Sequence, residues 1–466
     1  MRVTVGTRQS DAADMPGLLT AHDGGPGPAT ASRRRLQDGL LTRPGVAVSV
    51  SVTGIVLVIL VGAGAPNNNT LRLPLPFPLL APMPGLAATL ATVASITLSS
   101  LGLVGMLGAH RRGWNPSPRK LFGLGALAVA VVVNLTPVGS SDSASYAAYG
   151  RIAALGGDPY TTTPAQLGGA YAHWVGTAWL HSPSVYGPVA TWLQTTAAQI
   201  GGHRPWLTIW LLMLANGAAF LAAGYVLLKT APDPVKAGLI WVANPVLIVE
   251  LVAGGHLDTS VAALAVCAVA LTAQPARPRT DLLIGLLIGL ACSIKISAAL
   301  LGLALLWPLL RAHAWGRIAR QSAACLLVLL CGYGFYGVHA LAPLSAASHM
   351  VSAPTLWAPL QQLGQATVGQ ATTSTVISVS WPLLMFALAW LIHRRIPPEA
   401  PLTVSVPFAL AFAWILVAPW SMPWYTAIVW STAALIPRGG PLVRWLILTT
   451  AILALGHNGG GHGSTW

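Results

Sequence analysis

The sequence is short of charge. Only 8% of its 466 residues are Asp, Glu, Lys or Arg, against about a quarter in a typical soluble domain, and that excludes an ordinary water-soluble globule. Acidic residues are scarcest, 11 against 25 basic ones. The four cysteines, Cys267, Cys292, Cys325 and Cys331, all fall inside apolar segments. They read as small packing residues and indicate neither a disulfide framework nor a zinc site. No cleavable signal peptide is expected at the start, because residues 1–43 are polar and contain Gly24-Gly-Pro-Gly-Pro28 and Arg33-Arg-Arg35.

What the chain has in quantity is apolar surface. Hydrophobic residues make up 54% of it, and the mean hydropathy is +0.66, which points to an all-α polytopic membrane protein. Apolar runs fall at about 47–65, 85–109, 121–139, 206–228, 237–252, 257–274, 282–294, 297–311, 318–341, 373–393, 402–418, 423–436 and 441–456, so about 13 transmembrane helices are expected. Gly and Pro are frequent within them, which helices in lipid tolerate. The expected organisation is a disordered basic cytoplasmic tail over 1–46, a transmembrane domain over 47–456 and a flexible tail over 457–466. The formal charge of +14 does not imply a nucleic-acid partner, because the basic residues lie at the ends of apolar runs.

Those basic residues also set the topology, since cytoplasmic loops carry the excess of Lys and Arg. The arbitrating segment is Gly187–Gly202, either a short span or a helix lying on the outer surface. With this segment not crossing and the N-terminus inside, 21 of the 25 basic residues are cytoplasmic, leaving only Arg72, Arg151, Arg204 and Lys295 outside. A crossing would flip everything downstream and erase the bias. The expectation is therefore an N-terminus inside, a C-terminus outside, and surface helices in a long outer loop over about 140–205.

The outer face then collects the polar groups. The first loop brings Asp142, Tyr146, Arg151, Asp158, Tyr160 and Tyr186; the turn Gly254-Gly-His-Leu-Asp258 brings His256 and Asp258. Lys295 interrupts a long apolar stretch at the same face, and Trp420-Ser-Met-Pro-Trp-Tyr425 adds Trp424 and Tyr425. A carboxylate at the mouth of a span is costly to desolvate and marks a functional candidate. Such a set suits sugar transfer from a lipid phosphate: a carboxylate as general base, a cation beside the leaving phosphate, and aromatic faces against sugar or polyprenyl chains. Each residue also has a plainer role. Asp142 suits a helix N-terminus, Arg151 a surface ion pair with Asp142 or Asp158, and Gly157-Asp-Pro-Tyr160 a turn. His256 and Asp258 suit a structural link, Lys295 a snorkelling anchor, and Trp424 and Tyr425 an interfacial belt.

Three motifs in order carry a resemblance. Asp142 with Tyr146-Ala-Ala-Tyr-Gly-Arg151, then Gly157-Asp-Pro-Tyr160, then Ser184-Val-Tyr-Gly-Pro188 resembles the first outer loop of actinobacterial polyprenol-phosphomannose-dependent α-1,6-mannosyltransferases, of the GT-C superfamily. Asn244-Pro245 with Gly255-His-Leu-Asp258, and Pro423-Trp-Tyr425, are similar to that family's later motifs, so the likeness spans roughly 121–430. Family members more often carry Asn where this chain has Leu257. The resemblance implies a GT-C bundle, with Asp142 as the base of an inverting transfer. Its donor would be a β-linked mannosyl phosphopolyprenol, and its acceptor an α-1,6-mannan of lipomannan or lipoarabinomannan type outside the cytoplasmic membrane. No metal or cofactor is expected. The alternatives are the same fold moving lipid-linked arabinose or glucose, or a transporter or flippase, which would place ionisable groups near the midplane and show internal repeats.

Overall fold

The computed structural model describes residues 39–71, 79–437 and 440–458. The chain divides into two units, Met1–Leu40 and Leu41–Trp466, and the helical bundle belongs to the second. Residues 1–38 of the expected N-terminal tail, Arg72, Arg438 and the final residues 459–466 lie outside the described residues.

Among the described residues the protein is all-helical, with one isolated bridge between Thr70 and Val138. The main helices are α1 (Pro44–Ala63), α2 (Gly85–Arg111), α3 (Pro118–Val132), α4 (Asp142–Ala154), α5 (Pro188–Gly201) and α6 (Pro205–Thr230). The interrupted span α7 (Pro234–Ala253) is followed by α8 (Asp258–Thr272), α9 (Pro278–Cys292), α10 (Ala299–Arg311), α11 (Trp315–Tyr336), α12 (Gln370–His393), α13 (Leu402–Val417), α14 (Ala427–Leu435) and α15 (Gly440–Asn458). Several prolines sit at helix starts: α1, α3, α5, α6 and α9 all open on Pro, whose fixed φ and missing N–H suit the first helical position.

Seven of these helices are long and apolar enough to cross a membrane by themselves: α1, α2, α6, α7, α11, α12 and α15. Three shorter apolar helices, at Asp258–Thr272, Ile296–Arg311 and Leu402–Val417, fall below that length. The described residues thus form a helical membrane protein with seven candidate spans, which leaves the expected count of 13 unconfirmed. Gly187–Gly202 forms a helix of 14 residues, α5, short of the roughly 20 that a perpendicular crossing needs. Burial sorts the spans: 89% of the α7 window is inside the protein, against 11% for α11 and 22% for α12. The core is built around α7, while α11 and α12 face outward.

The break in α7 follows from its sequence. Helical residues Pro234–Ile240 give way to a turn at Trp241–Ala243, and the chain restarts at Pro245. Asn244 caps the restart, its side-chain oxygen accepting from Val246 N (3.0 Å) and Leu247 N (3.3 Å). Ile248–Ala253 then winds as a π-helix, a form that leaves its carbonyls poorly matched and often marks functional sites. Asn216 on α6 donates to one of them, Leu251 O, at 2.8 Å. The span ends by handing Ala253 O to Val138 N at 2.9 Å, which pins the strand-like lead into Asp142 against the end of α7.

Candidate active site

Asp142 is the first residue of α4, and Ser140 Oγ accepts from its backbone N–H at 3.1 Å. Ser141 is the N-cap but its side chain makes no capping bond, so Asp142 leaves its carboxylate free to face inward instead of closing the helix end. Its Oδ2 accepts from the Tyr146 hydroxyl at 3.3 Å, one helical turn on. The same oxygen lies 3.4 Å from His256 Nδ1, with His256 1% exposed and Asp142 14%. This is an ion-pair distance without hydrogen-bond geometry, and Nδ1 has no hydrogen-bond partner among the described residues. Burial pushes the Asp142 carboxyl up, but the contact with His256 and the electrostatic influence of His256, His457 and Lys295 outweigh it and hold the group below its ordinary range. Burial drives the Tyr146 phenol well above its ordinary value, so it stays protonated and donates.

His256 is aimed by the turn before it. Gly255 has φ +69°, a left-handed conformation that L side chains avoid, and this turns the chain from the end of α7 into α8. The imidazole lies flat on Trp424, with centroids 3.7 Å apart and planes at 12°. His457, in the last turn of α15, meets Trp424 edge-on at 4.8 Å.

A second charged group stands beside the first. Lys295 Nζ donates to both oxygens of Asp258, at 2.9 and 2.8 Å, and sits 3.7 Å over the Tyr425 ring. Tyr425 in turn stacks on Trp414 at 5.5 Å. Burial works against the Lys295 ammonium, but the Asp258 carboxylate outweighs it and the group is raised. The Lys295 loop is tied to the first long loop: Gly187 N donates to Ile294 O (3.0 Å) and Val189 N to Ser293 O (2.9 Å). A Cβ on Gly187 would stand 2.3 Å from Ser293 O, so only glycine permits this approach.

Of the residues expected at a site, the structure brings together Asp142, Tyr146, Tyr186, His256, Asp258, Lys295, Trp424 and Tyr425; Tyr186 packs edge-on to Tyr146 at 4.9 Å. Arg151, Asp158 and Tyr160 are placed elsewhere. Arg151 lies nine residues along α4 from Asp142, a rise of about 13 Å, and reaches His203 Nδ1 at 3.4 Å and the Tyr171 ring, pairing with neither Asp142 nor Asp158. Asp158 caps its own turn, accepting from Tyr160 N at 2.8 Å, and pairs with His339. Tyr160 bonds Thr191 (2.9 Å) and packs on Tyr336. Two further residues come close to the site, His457 without any sequence signal and Glu250 as a carboxylate inside the 237–252 apolar run whose plain reading is an internal hydrogen bond. His457 stood at the start of the expected tail, whereas α15 runs through Asn458. Glu250 lies in the π-helix and reaches a narrow cavity lined also by Thr92, Gly139, His256 and Trp424. Among the described residues no three His, Cys, Asp or Glu side chains are grouped to hold a metal ion.

Fold and site together define a membrane protein whose polar groups converge where several helices end. A family model described as alpha-(1->6)-mannopyranosyltransferase, N-terminal domain, matches residues 43–311. The chain belongs to this α-1,6-mannosyltransferase family and is a glycosyltransferase. Asp142, His256, Asp258 and Lys295 fall within the matched stretch, while Trp424, Tyr425 and His457 come from beyond it. Searches of curated proteins and of solved structures gave no match.

Proposed function

We propose that the protein is an inverting mannosyltransferase that uses a polyprenyl-phosphate donor and extends an α-1,6-mannan acceptor of lipomannan or lipoarabinomannan type, on the outer face of the cytoplasmic membrane. The supporting observation is Asp142: an ionised, largely buried carboxylate held between a phenol, an imidazole and a nearby ammonium. Such a carboxylate can take the proton of the acceptor 6-hydroxyl as that oxygen attacks the anomeric carbon. The new C1–O6 bond forms while the C1–O bond to phosphate breaks, and the electron pair leaves with polyprenyl phosphate. Attack from the face opposite the leaving group turns a β-linked donor into an α-mannoside.

Lys295 supplies the cation for the leaving phosphate. Two of its three N–H donors face Asp258, leaving one for a phosphate oxygen. Tyr186 offers an aromatic face to sugar or lipid, Trp424 and Tyr425 back His256 and Lys295 from behind, and the bilayer holds the donor close. Membrane side follows from the basic-residue asymmetry, which also supports an N-terminus inside and a C-terminus outside. Gathering of polar groups at one end of the spans favours transfer over transport, which would need them near the midplane.

The test is transfer from labelled mannosyl phosphopolyprenol in membranes, with glucosyl and arabinosyl phosphopolyprenol as competitors. Asp142→Asn is expected to slow turnover by roughly 10²–10⁴-fold, the range of a lost general base. Full activity in that variant overturns the assignment of the base. Preference for another donor overturns the sugar, and liposome transport without product would identify a flippase.

A further inference from the structure

A well-formed cavity lies far from Asp142. It measures about 520 Å³ and is lined by His110 and Arg111 at the end of α2, Asp233 and Lys236 at the start of α7, and Gly440 and Val443 at the start of α15. The same three helices line the Asp142 site with their other ends: Thr92 of α2 and Glu250 of α7 border the cavity beside His256, and His457 of α15 packs on Trp424. At 1.5 Å per residue, a 20-residue span separates the two by roughly 30 Å, so they open at opposite membrane faces.

Its chemistry is that of an anion site. Arg111 spends one donor on Gly440 O (3.1 Å), and Lys236 Nζ spends two, on the carbonyls of Ala433 and Ile436. A guanidinium has five N–H donors and an ammonium three, so both cations keep donors to spare among the described residues. The lone lining carboxylate, Asp233, is already engaged by His110 Nε2 at 2.9 Å and by Lys236 N. Arg111 lies within electrostatic reach of both Lys236 and Arg444, a convergence of like charge that a bound anion relieves. Below the cavity, exposed apolar side chains run down both flanking helices: Trp445 (62% exposed), Leu448 and Ile452 on α15, and Leu101 and Val104 on α2.

We propose that this cavity binds a phosphate-bearing anion, the head group of an acidic membrane phospholipid, with its acyl chains along α2 and α15. Arg111 and Lys236 contact the phosphate and Trp445 marks the interface. The site is independent of the transfer reaction at the other end of the helices.

The experiment uses the full-length protein in detergent, titrated with dioleoyl phosphatidic acid, dioleoyl phosphatidylcholine or inorganic phosphate, and read by native mass spectrometry and thermal melting. Phosphatidic acid is expected to be retained and to raise the melting temperature, with phosphatidylcholine doing neither. Arg111→Gln is expected to weaken that binding about tenfold, as loss of a charge-assisted hydrogen bond does, and Arg111→Gln/Lys236→Gln further. Lys120→Gln, a basic exposed residue that does not line the cavity, should bind as wild type. Because Lys236 also ties the end of α14, the single Arg111 variant decides if the double variant fails to fold. Stabilisation by inorganic phosphate that Arg111→Gln abolishes, with no response to phosphatidic acid, overturns the lipid source and keeps the anion site. Equal retention of both lipids, or Arg111→Gln binding like wild type, overturns the site.

Discussion

Trp424 lies face to face on His256, 3.7 Å between centroids. The contact joins a turn before α14 to the turn before α8, and it fixes the imidazole that faces Asp142. An indole so placed restricts the ring to one plane, so its removal should act on chemistry more than on donor affinity. Trp424→Leu is expected to lower turnover at least tenfold with the Michaelis constant for donor changed less, and Trp424→Phe to recover most of the loss. Steady-state kinetics in membranes check this; equal losses for Leu and Phe would show that stacking is irrelevant.

His256 also sets the protonation of Asp142. A carboxyl held below its ordinary value acts as base above that value and fails as pH falls through it. The acid limb of kcat/KM should therefore lie below the usual carboxylate range, about 3.9. In His256→Gln the opposing effect, burial, is left to dominate, and the limb should move to higher pH. An unmoved limb in that variant would separate His256 from the ionisation of Asp142.

The Asp258–Lys295 pair is mostly buried, 8% and 13% exposed, so breaking it strands a charge. Lys295→Met is expected to destabilise the protein by roughly 3–5 kcal/mol. Adding Asp258→Asn should restore most of the thermal stability, since no unpaired charge remains, yet leave transfer impaired because the phosphate has lost its cation. Recovery of activity along with stability would make the pair purely structural. Thermal melts and transfer assays on the same preparations tell these apart.

Gly187→Ala tests the coupling between the two loops. Its new Cβ meets Ser293 O at 2.3 Å, and the hydrogen bonds from Gly187 and Val189 hold the segment that ends in Lys295. The variant should raise the Michaelis constant for the lipid-linked donor more than Arg151→Gln does. Arg151, bound to His203 at the surface, should stay within about threefold of wild type, as exposed pairs contribute little.

Much of the site was legible from residue type and order. Asp142 stood out because a carboxylate directly after a long apolar run has few structural uses, and the bilayer penalty makes it conspicuous. Lys295 stood out for the same reason with the opposite sign, and the two do converge. Arg151 misled because neighbours in a loop sequence are not neighbours in space: once α4 forms, helical rise carries it to the far end. His457 was invisible because its partner, Trp424, is contacted only through the packing of α15, and a histidine before Asn-Gly-Gly-Gly reads as the start of a tail. The break in α7 was half legible, since Asn244-Pro245 announces a restart, while the π-helix after it depends on what Asn216 of α6 and Val138 of the segment before α4 offer.

The parts of the site reach the folding chain at very different times. Asp142, His256 and Lys295 are all synthesised before α11, but Trp424 and His457 follow only with the last helices, and chains are delivered N-terminus first. Until α15 is inserted, the indole that orients His256 lacks its own support. The pocket is thus among the last features of the molecule to exist, and a chain cut just after the stretch matched by the family model would carry the charged residues without the aromatic wall that holds them in place.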